Sequence, residues 1–311
     1  MRREQRLDVA LIRRHPELSR RRARDVIRKG QVSVDGETAL EAGREVAEGA
    51  AIRWDPNKKA LPRARLSLPL LYGDDALLVV DKPAGLLTVP SHVGAEDEDT
   101  ALARVQDYVR HLTPRRPYVG VVHRIDRDTS GAVAFALSPT ARQELRALFR
   151  EHRIERRYSA LVEADPQEDR GLVDLPIRTL YQGGRRAIAR KEEDSLTALT
   201  RWSVVERFRG ACLIDVELET GRQHQIRIHL AHVGMPIPGD AVYGRAASRR
   251  PVVTVGRQML HARLLGFRHP GTGAHMVVES PLPEDFRGAL AALRARRGAK
   301  RSGPRAARAG G

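Results

Sequence analysis

Leu7, Leu11 and Ile12 share one face of a helix, and after His15-Pro16 a second helix begins with Ser19 as its N-cap. On that second helix Ala23, Val26 and Ile27 stand at i, i+3 and i+4, while Arg20, Arg21, Arg24 and Arg28 lie off the apolar stripe and Gly30 closes the end. The period then changes. Gln31 to Gly36 alternates as a strand and runs into an Asp-Gly turn, and Val46, Gly49 and Ile52 mark another short strand.

Asp55 to Arg65, with Pro56 and Pro62, reads as a polar linker, so the pattern predicts a small domain over 1–55, a linker over 56–66 and a larger domain over 67–293. The larger part opens with Leu70-Leu71-Tyr72, a turn at Gly73-Asp74-Asp75 and a strand from Ala76 to Val80. The loop of Lys82-Pro83-Ala84-Gly85 follows, and Ala101 to Leu112 fits an amphipathic helix. Further on, Ser138-Pro139 starts a helix carrying Leu145, Leu148 and Phe149. Strands are expected at Tyr158–Val162, Leu196–Phe208, Ala211–Leu218, Met259–Phe267 and His275–Glu279. Gly183-Gly184-Arg185-Arg186 reads as a basic hairpin tip. Ile226, Leu230 and Val233 place a helix over Arg222 to Gly234, and 294–311 reads as a disordered basic tail.

One polar stretch interrupts this order. Val119, Val121 and Val122 run into His123-Arg124-Ile125-Asp126-Arg127-Asp128-Thr129-Ser130-Gly131, and Ala132 to Leu137 run out, so both flanks read as buried strands around a charged corner. Buried charge is costly unless paired, so such a corner is either a structural ion-pair network or a site, with Asp126 the candidate nucleophile.

Composition sharpens the choice. The 311 residues carry a formal charge of +16, with 41% hydrophobic and 30% charged residues, which is globular and points to a polyanion partner. An Arg-rich codon bias is the competing explanation, but arginine is also the better phosphate fork and base-stacking group. The single Cys212 lies in an apolar run and has no partner within the chain, so a reducing cytoplasm is the expected setting. Neither a signal peptide nor a membrane span is expected. His224, His229 and His232 suggest a metal-dependent RNA hydrolase, yet on a helix the first two point far apart and no carboxylate set accompanies them, so no metal is expected.

Lys82-Pro83-Ala84-Gly85, the nonapeptide His123–Gly131, Arg157–Val162, Gly221–His229, Gly239-Asp240-Ala241-Val242-Tyr243-Gly244 and Leu260-His261-Ala262 occur in the order of one family. The chain resembles an RluA-type pseudouridine synthase. Residues Arg6-Leu7-Asp8 through the Gly49/Ile52 end likewise resemble the αL RNA-binding domain of the ribosomal-protein S-four type. Ile125 and Pro238 stand where leucine is common.

The resemblance implies an α+β fold, a mixed and mostly antiparallel sheet core flanked by helices, preceded by the small RNA-binding domain. It implies an isomerase that needs no cofactor, because the reaction has no net redox change and no hydrolysis. It also implies that Arg227 pairs with Asp126, and that Tyr158 packs on the target base and serves in the later proton removal. Spacing leaves open whether Asp126 attacks sugar or base. The base must be extruded, and His123 or Arg124 is expected to fill the gap or hold the flipped nucleotide. Arg222 and His224 are candidates for phosphate contact, with a helix-start ion pair the alternative. Arg20, Arg21, Arg24 and Arg28 would lie on RNA backbone. Asp128 is expected to be structural, and Lys82 a loop support. The expected partner is large-subunit ribosomal RNA, with transfer RNA or a non-catalytic RNA-binding assembly role as alternatives, and a monomer is the default.

Overall fold

The structure is a computed structural model that describes residues 4–39, 42–58, 66–95, 97–112, 117–181, 185–190, 194–244 and 251–298. Its elements in chain order begin with β1 (Glu4–Arg6), α1 (Leu7–Arg14), α2 (Arg20–Arg28), β2 (Val32–Val34), β3 (Glu37–Ala39), β4 (Glu45–Ala47) and β5 (Ile52–Trp54). Then come β6 (Leu70–Gly73), β7 (Leu77–Lys82), α3 (Ala101–Leu112), β8 (Gly120–Val121), β9 (Ser130–Ala136), α4 (Pro139–Arg150), β10 (Glu155–Val162), β11 (Arg170–Asp174) and β12 (Ile177–Arg178). The remainder is β13 (Ser195–Leu196), β14 (Leu199–Phe208), β15 (Ala211–Leu218), α5 (Gln225–His232), β16 (Leu260–Arg268), β17 (His275–Glu279) and α6 (Glu284–Gly298). Two compact units result, one of residues 1–67 with 104–119, the other of 68–103 with 120–311.

In the first unit the apolar stripes of α1 and α2 meet the inward positions of the three strands β3-β2-β5. Leu7, Leu11, Ala23, Val26, Ile27 and Val32 are buried together. Ser19 caps α2, its hydroxyl accepting from Arg22 N–H, which satisfies one of the free donors of the first turn. Asp8 is buried on α1 and accepts from Arg6 Nε at 3.1 Å and Arg24 Nε at 2.9 Å. Burial pushes its carboxyl up, but the two guanidiniums more than offset this and hold it below the usual range.

The second unit is built on a sheet of ten strands among the described residues. Its order is β11-β14-β15-β10-β16-β9-β7-β6, with β17 also on β16 and β8 on β9. Every pairing is antiparallel except that between β9 and β16. The sheet is therefore mixed and mostly antiparallel, with α4 capped by Ser138 and packed through buried Ala141 and Leu145. Cys212 is buried in β15.

Several expectations shift. The strand read over Val119–Val122 is only two residues long, because the chain leaves the sheet at Val122 to form the polar corner. The helix read from Arg222 starts at Gln225. Its side-chain oxygen accepts from Thr220 Oγ1 and Arg222 N–H, folding the preceding residues into a turn that ends at His224 with φ +59°. Residues 294–298, assigned from sequence to an unstructured tail, continue α6, where Leu293 is buried and Arg294 pairs with Glu206 at 2.6 Å. The rest of that tail and the Gly183-Gly184 tip lie outside the described residues.

Candidate active site

The polar corner is a loop between β8 and β9, held from beneath by the loop that follows β7. Lys82 is fully buried, and its ammonium donates to the carbonyls of Pro83 (2.8 Å), Leu86 (2.6 Å) and Arg127 (2.9 Å). Thr88 Oγ1 donates to Ile125 C=O at 2.8 Å, and Gly85 N–H donates to Arg127 C=O at 3.0 Å. Thr129 N–H closes the turn onto Asp126 C=O at 3.2 Å. The backbone on both sides of Asp126 is thus fixed by a neighbouring loop, as a reacting group requires. Burial drives the Lys82 pKa down to about 7, partly offset by the charges of Asp128 and Asp126.

The other wall comes from α5. Arg227 Nη1 donates to Asp126 Oδ2 at 3.0 Å, while its Nε and Nη2 donate to Asp240 Oδ2 (2.7 Å) and Oδ1 (2.8 Å). Asp240 Oδ1 also accepts from Val242 and Tyr243 N–H, and the Tyr243 ring lies 5.1 Å from the Arg227 guanidinium carbon. One guanidinium therefore serves two carboxylates, and the pair keeps a net negative charge. Burial would lower the Arg227 pKa, but its two carboxylate partners raise it further than that; Asp240, pushed up by burial, is held low by Arg227. The Asp126 side chain is 20% exposed, so it is largely buried yet open to the cavity.

Tyr158 leaves β10 beside a bulge, where Arg157 faces Leu264 but Tyr158 faces Ala262. Burial raises its pKa, against the charge of Arg156 and with that of Asp126, so the phenol stays protonated at neutral pH. His123 lines the cavity beside Arg124. Its Nε2 accepts from Ala134 N–H at 2.9 Å, its ring stacks on Phe149 at 4.7 Å, and burial pushes its pKa down to about 3, so the ring is neutral and anchored to the sheet. Arg124 is exposed. Arg222 donates through Nε to Thr197 C=O at 3.0 Å. His224 Nδ1 lies 3.1 Å from the Tyr243 hydroxyl and its Nε2 3.9 Å from Asp126 Oδ1, with burial lowering its pKa against the pull of Asp126.

A cavity of about 520 Å³ brings together Asp126, Arg227, Tyr158, Arg124, Arg222 and His224, a size suited to a small-molecule or nucleoside group. On α2, Arg20 and Arg21 are exposed, whereas Arg24 is tied to Asp8, and the Arg28 side chain lies outside the described residues. Both ring nitrogens of His229 are spent, on Thr200 Oγ1 and Leu175 C=O, so it is no ligand in waiting. Asp128 offers its carbonyl to Arg257 at 3.1 Å. Sequence reasoning missed Asp240. It lies in the Gly239–Gly244 motif that carries the family resemblance, but nothing in the pattern pairs it with a helix 13 residues earlier.

The family model described as RNA pseudouridylate synthase matches residues 76–232, and the S4 domain model matches residues 5–52. A protein of Pseudomonas aeruginosa named ribosomal large subunit pseudouridine synthase D is 36% identical, covering 93% of this chain and 92% of its own. The protein of the same name from Nitrosomonas europaea is also 36% identical over 93% of this chain and 84% of its own. Among solved structures, human RNA pseudouridylate synthase domain containing 4 superposes with a TM-score of 0.60 at 23% identity over 73% of this chain and 93% of its own, a likeness of fold.

Proposed function

The chain belongs to the RNA pseudouridylate synthase family, and on that premise we propose that it converts a uridine of large-subunit ribosomal RNA into pseudouridine. It is an isomerase. The reaction breaks the bond from the ribose C1′ to base N1 and forms one from C1′ to C5; C5 loses its proton and N1 gains one, so no electrons enter or leave.

Asp126 supplies the anionic oxygen at the glycosidic bond, acting as the nucleophile. The observation that carries this reading is its carboxylate, one-fifth exposed into the cavity and held 3.0 Å from Arg227 Nη1. Arg227 keeps that charge in place, and Asp240 sets the angle of Arg227. Tyr158 supports the base as a neutral ring. Stacked in RNA the uridine is out of reach, so it is extruded at a cost of a few kcal/mol, and exposed Arg124 takes the space it leaves. His224 and Arg222 face the same bound nucleotide.

Ribosomal RNA is favoured over transfer RNA by the names of the relatives, which align over nearly the whole chain, S4 segment included. Arg20 and Arg21 of that segment would sit on RNA backbone. Such a substrate places the chain in the cytoplasm. No described helix is long and apolar enough to cross a membrane.

The test is a map of pseudouridines in total RNA from cells with and without the chain. Loss of one or more positions in large-subunit ribosomal RNA, restored by the wild type but not by Asp126→Asn, is expected. Loss confined to transfer RNA overturns the substrate, and an unchanged map overturns the whole reading.

A further inference from the structure

Arg156 stands two residues before Tyr158 on β10, so both side chains leave the strand on one face, and both line the cavity. It is only 7% exposed, yet it has no carboxylate partner among the described residues. Nη2 donates to Leu218 C=O at 3.2 Å and Glu219 C=O at 2.7 Å, Nε is buried with no acceptor, and the Phe149 ring lies 5.7 Å from the guanidinium carbon. A buried cation without a counter-charge is expensive, and two backbone carbonyls could be capped as well by a neutral amide.

The chain also makes room for the group. A Cβ on Gly221 would lie 2.3 Å from Arg156 Nη1, so this turn forgoes a side chain where the guanidinium passes. The surroundings deepen the imbalance: six arginines line the cavity against one carboxylate, that of Asp126, which Arg227 already engages. Arg146 and Arg150, one turn apart on α4, reach the same cavity from its exposed side. Burial pulls the Arg156 pKa below its usual value, against the pull of the neighbouring Tyr158 oxygen, and the charge of Arg222 adds to the lowering.

We propose that Arg156 is an anion-binding residue of the cavity, taking a phosphodiester of the RNA strand next to the extruded uridine. Its guanidinium edge supplies a charge-assisted hydrogen bond that fixes the sugar relative to Asp126, and Arg146 and Arg150 lead the flanking phosphates toward it. The proposal rests on the reading of this cavity as a uridine site.

The experiment uses the full chain and two trinucleotides, UpUpU and the same sequence with neutral methylphosphonate linkages, with binding measured by calorimetry at low salt. The wild type should favour the phosphodiester form by about tenfold or more, since a hydrogen bond to a charged group contributes roughly 1.5–3 kcal/mol. Arg156→Gln should lose most of that preference while binding the neutral form as before, and Arg156→Lys should recover part of it. Gly221→Ala, which keeps the charge but displaces it, should lose it too.

Equal binding of both forms by the wild type overturns the proposal. So does a preference unchanged in Arg156→Gln, or an equal loss for both forms, which would mark Arg156 as structural. Melting temperatures of the variants are recorded alongside, and if Arg156→Gln does not fold, the Lys and Gly221 variants decide. Tritium release from C5-labelled uridine in ribosomal RNA reads the isomerase activity separately, so either conclusion can fail while the other stands.

Discussion

Asp240 never faces the cavity, yet the position of Arg227 depends on it, because two of the three guanidinium nitrogens that bond are spent on its carboxylate. Asp240→Ala should cost about 1–3 kcal/mol in urea denaturation, since it leaves two donors of a buried guanidinium without acceptors while Asp126 still balances its charge. Turnover should fall further than stability alone explains, seen as a drop in kcat at temperatures where the variant is folded. His123 makes a different prediction. Its folded pKa, near 3, lies below its unfolded value of about 6.5, so between those limits the unfolded chain binds more protons. Its contribution to stability is therefore complete above pH 6.5 and is lost as pH falls toward 3. His123→Gln, whose side-chain oxygen can still accept from Ala134 N–H, should flatten that part of the stability curve in pH-dependent denaturation. At this scale Asp126 was legible because a charged corner between apolar flanks has few explanations. The fate of His123 was not, because the same ring can be a cation or a buried acceptor according to which strand it meets.

Among elements, the joint between β9 and β16 matters most, since it is the parallel pairing in an otherwise antiparallel sheet and it adjoins the corner. Gly131 closes the nonapeptide with φ +120°, and a Cβ there would lie 2.2 Å from Ala262 C=O. Overpacking and backbone strain each cost about 1–3 kcal/mol. Gly131→Ala should therefore lower stability by about 3 kcal/mol or more, measured as a shift in the urea midpoint, and activity should fall with it. Strands such as β15, with an apolar run of its own, and helices such as α4, with Ser138-Pro139 at its start, were readable from local pattern alone. The two-residue β12 was not: too short to carry a period, it exists only because a partner strand lies alongside, and β8 was read as a longer strand than the two residues that pair with β9.

For the whole molecule the formal charge of +16 sets a measurable property. Each phosphate neutralised on single-stranded RNA contributes a slope of about −0.7 in log affinity against log salt, and about −0.9 on duplex. Replacing exposed Arg20 and Arg21 of α2 by Gln should make that slope shallower by about 1 to 2 in filter binding to ribosomal RNA, with little effect on melting. Arg24→Gln should behave otherwise, lowering stability because it releases buried Asp8, although the spacing of the four arginines treats them alike.

The order of elements, the basic character, the small leading domain and the candidate nucleophile were determined by the chain itself, because apolar period, capping residues and net charge act locally or add without regard to fold. The resemblance implied the pair of Asp126 with a guanidinium 101 positions away, and tertiary structure alone decided its geometry, that Asp240 steers that guanidinium, and that Arg156 lies buried without a carboxylate partner among the described residues. The physical reason is that pairing and desolvation depend on distance and burial in space, which sequence separation does not encode.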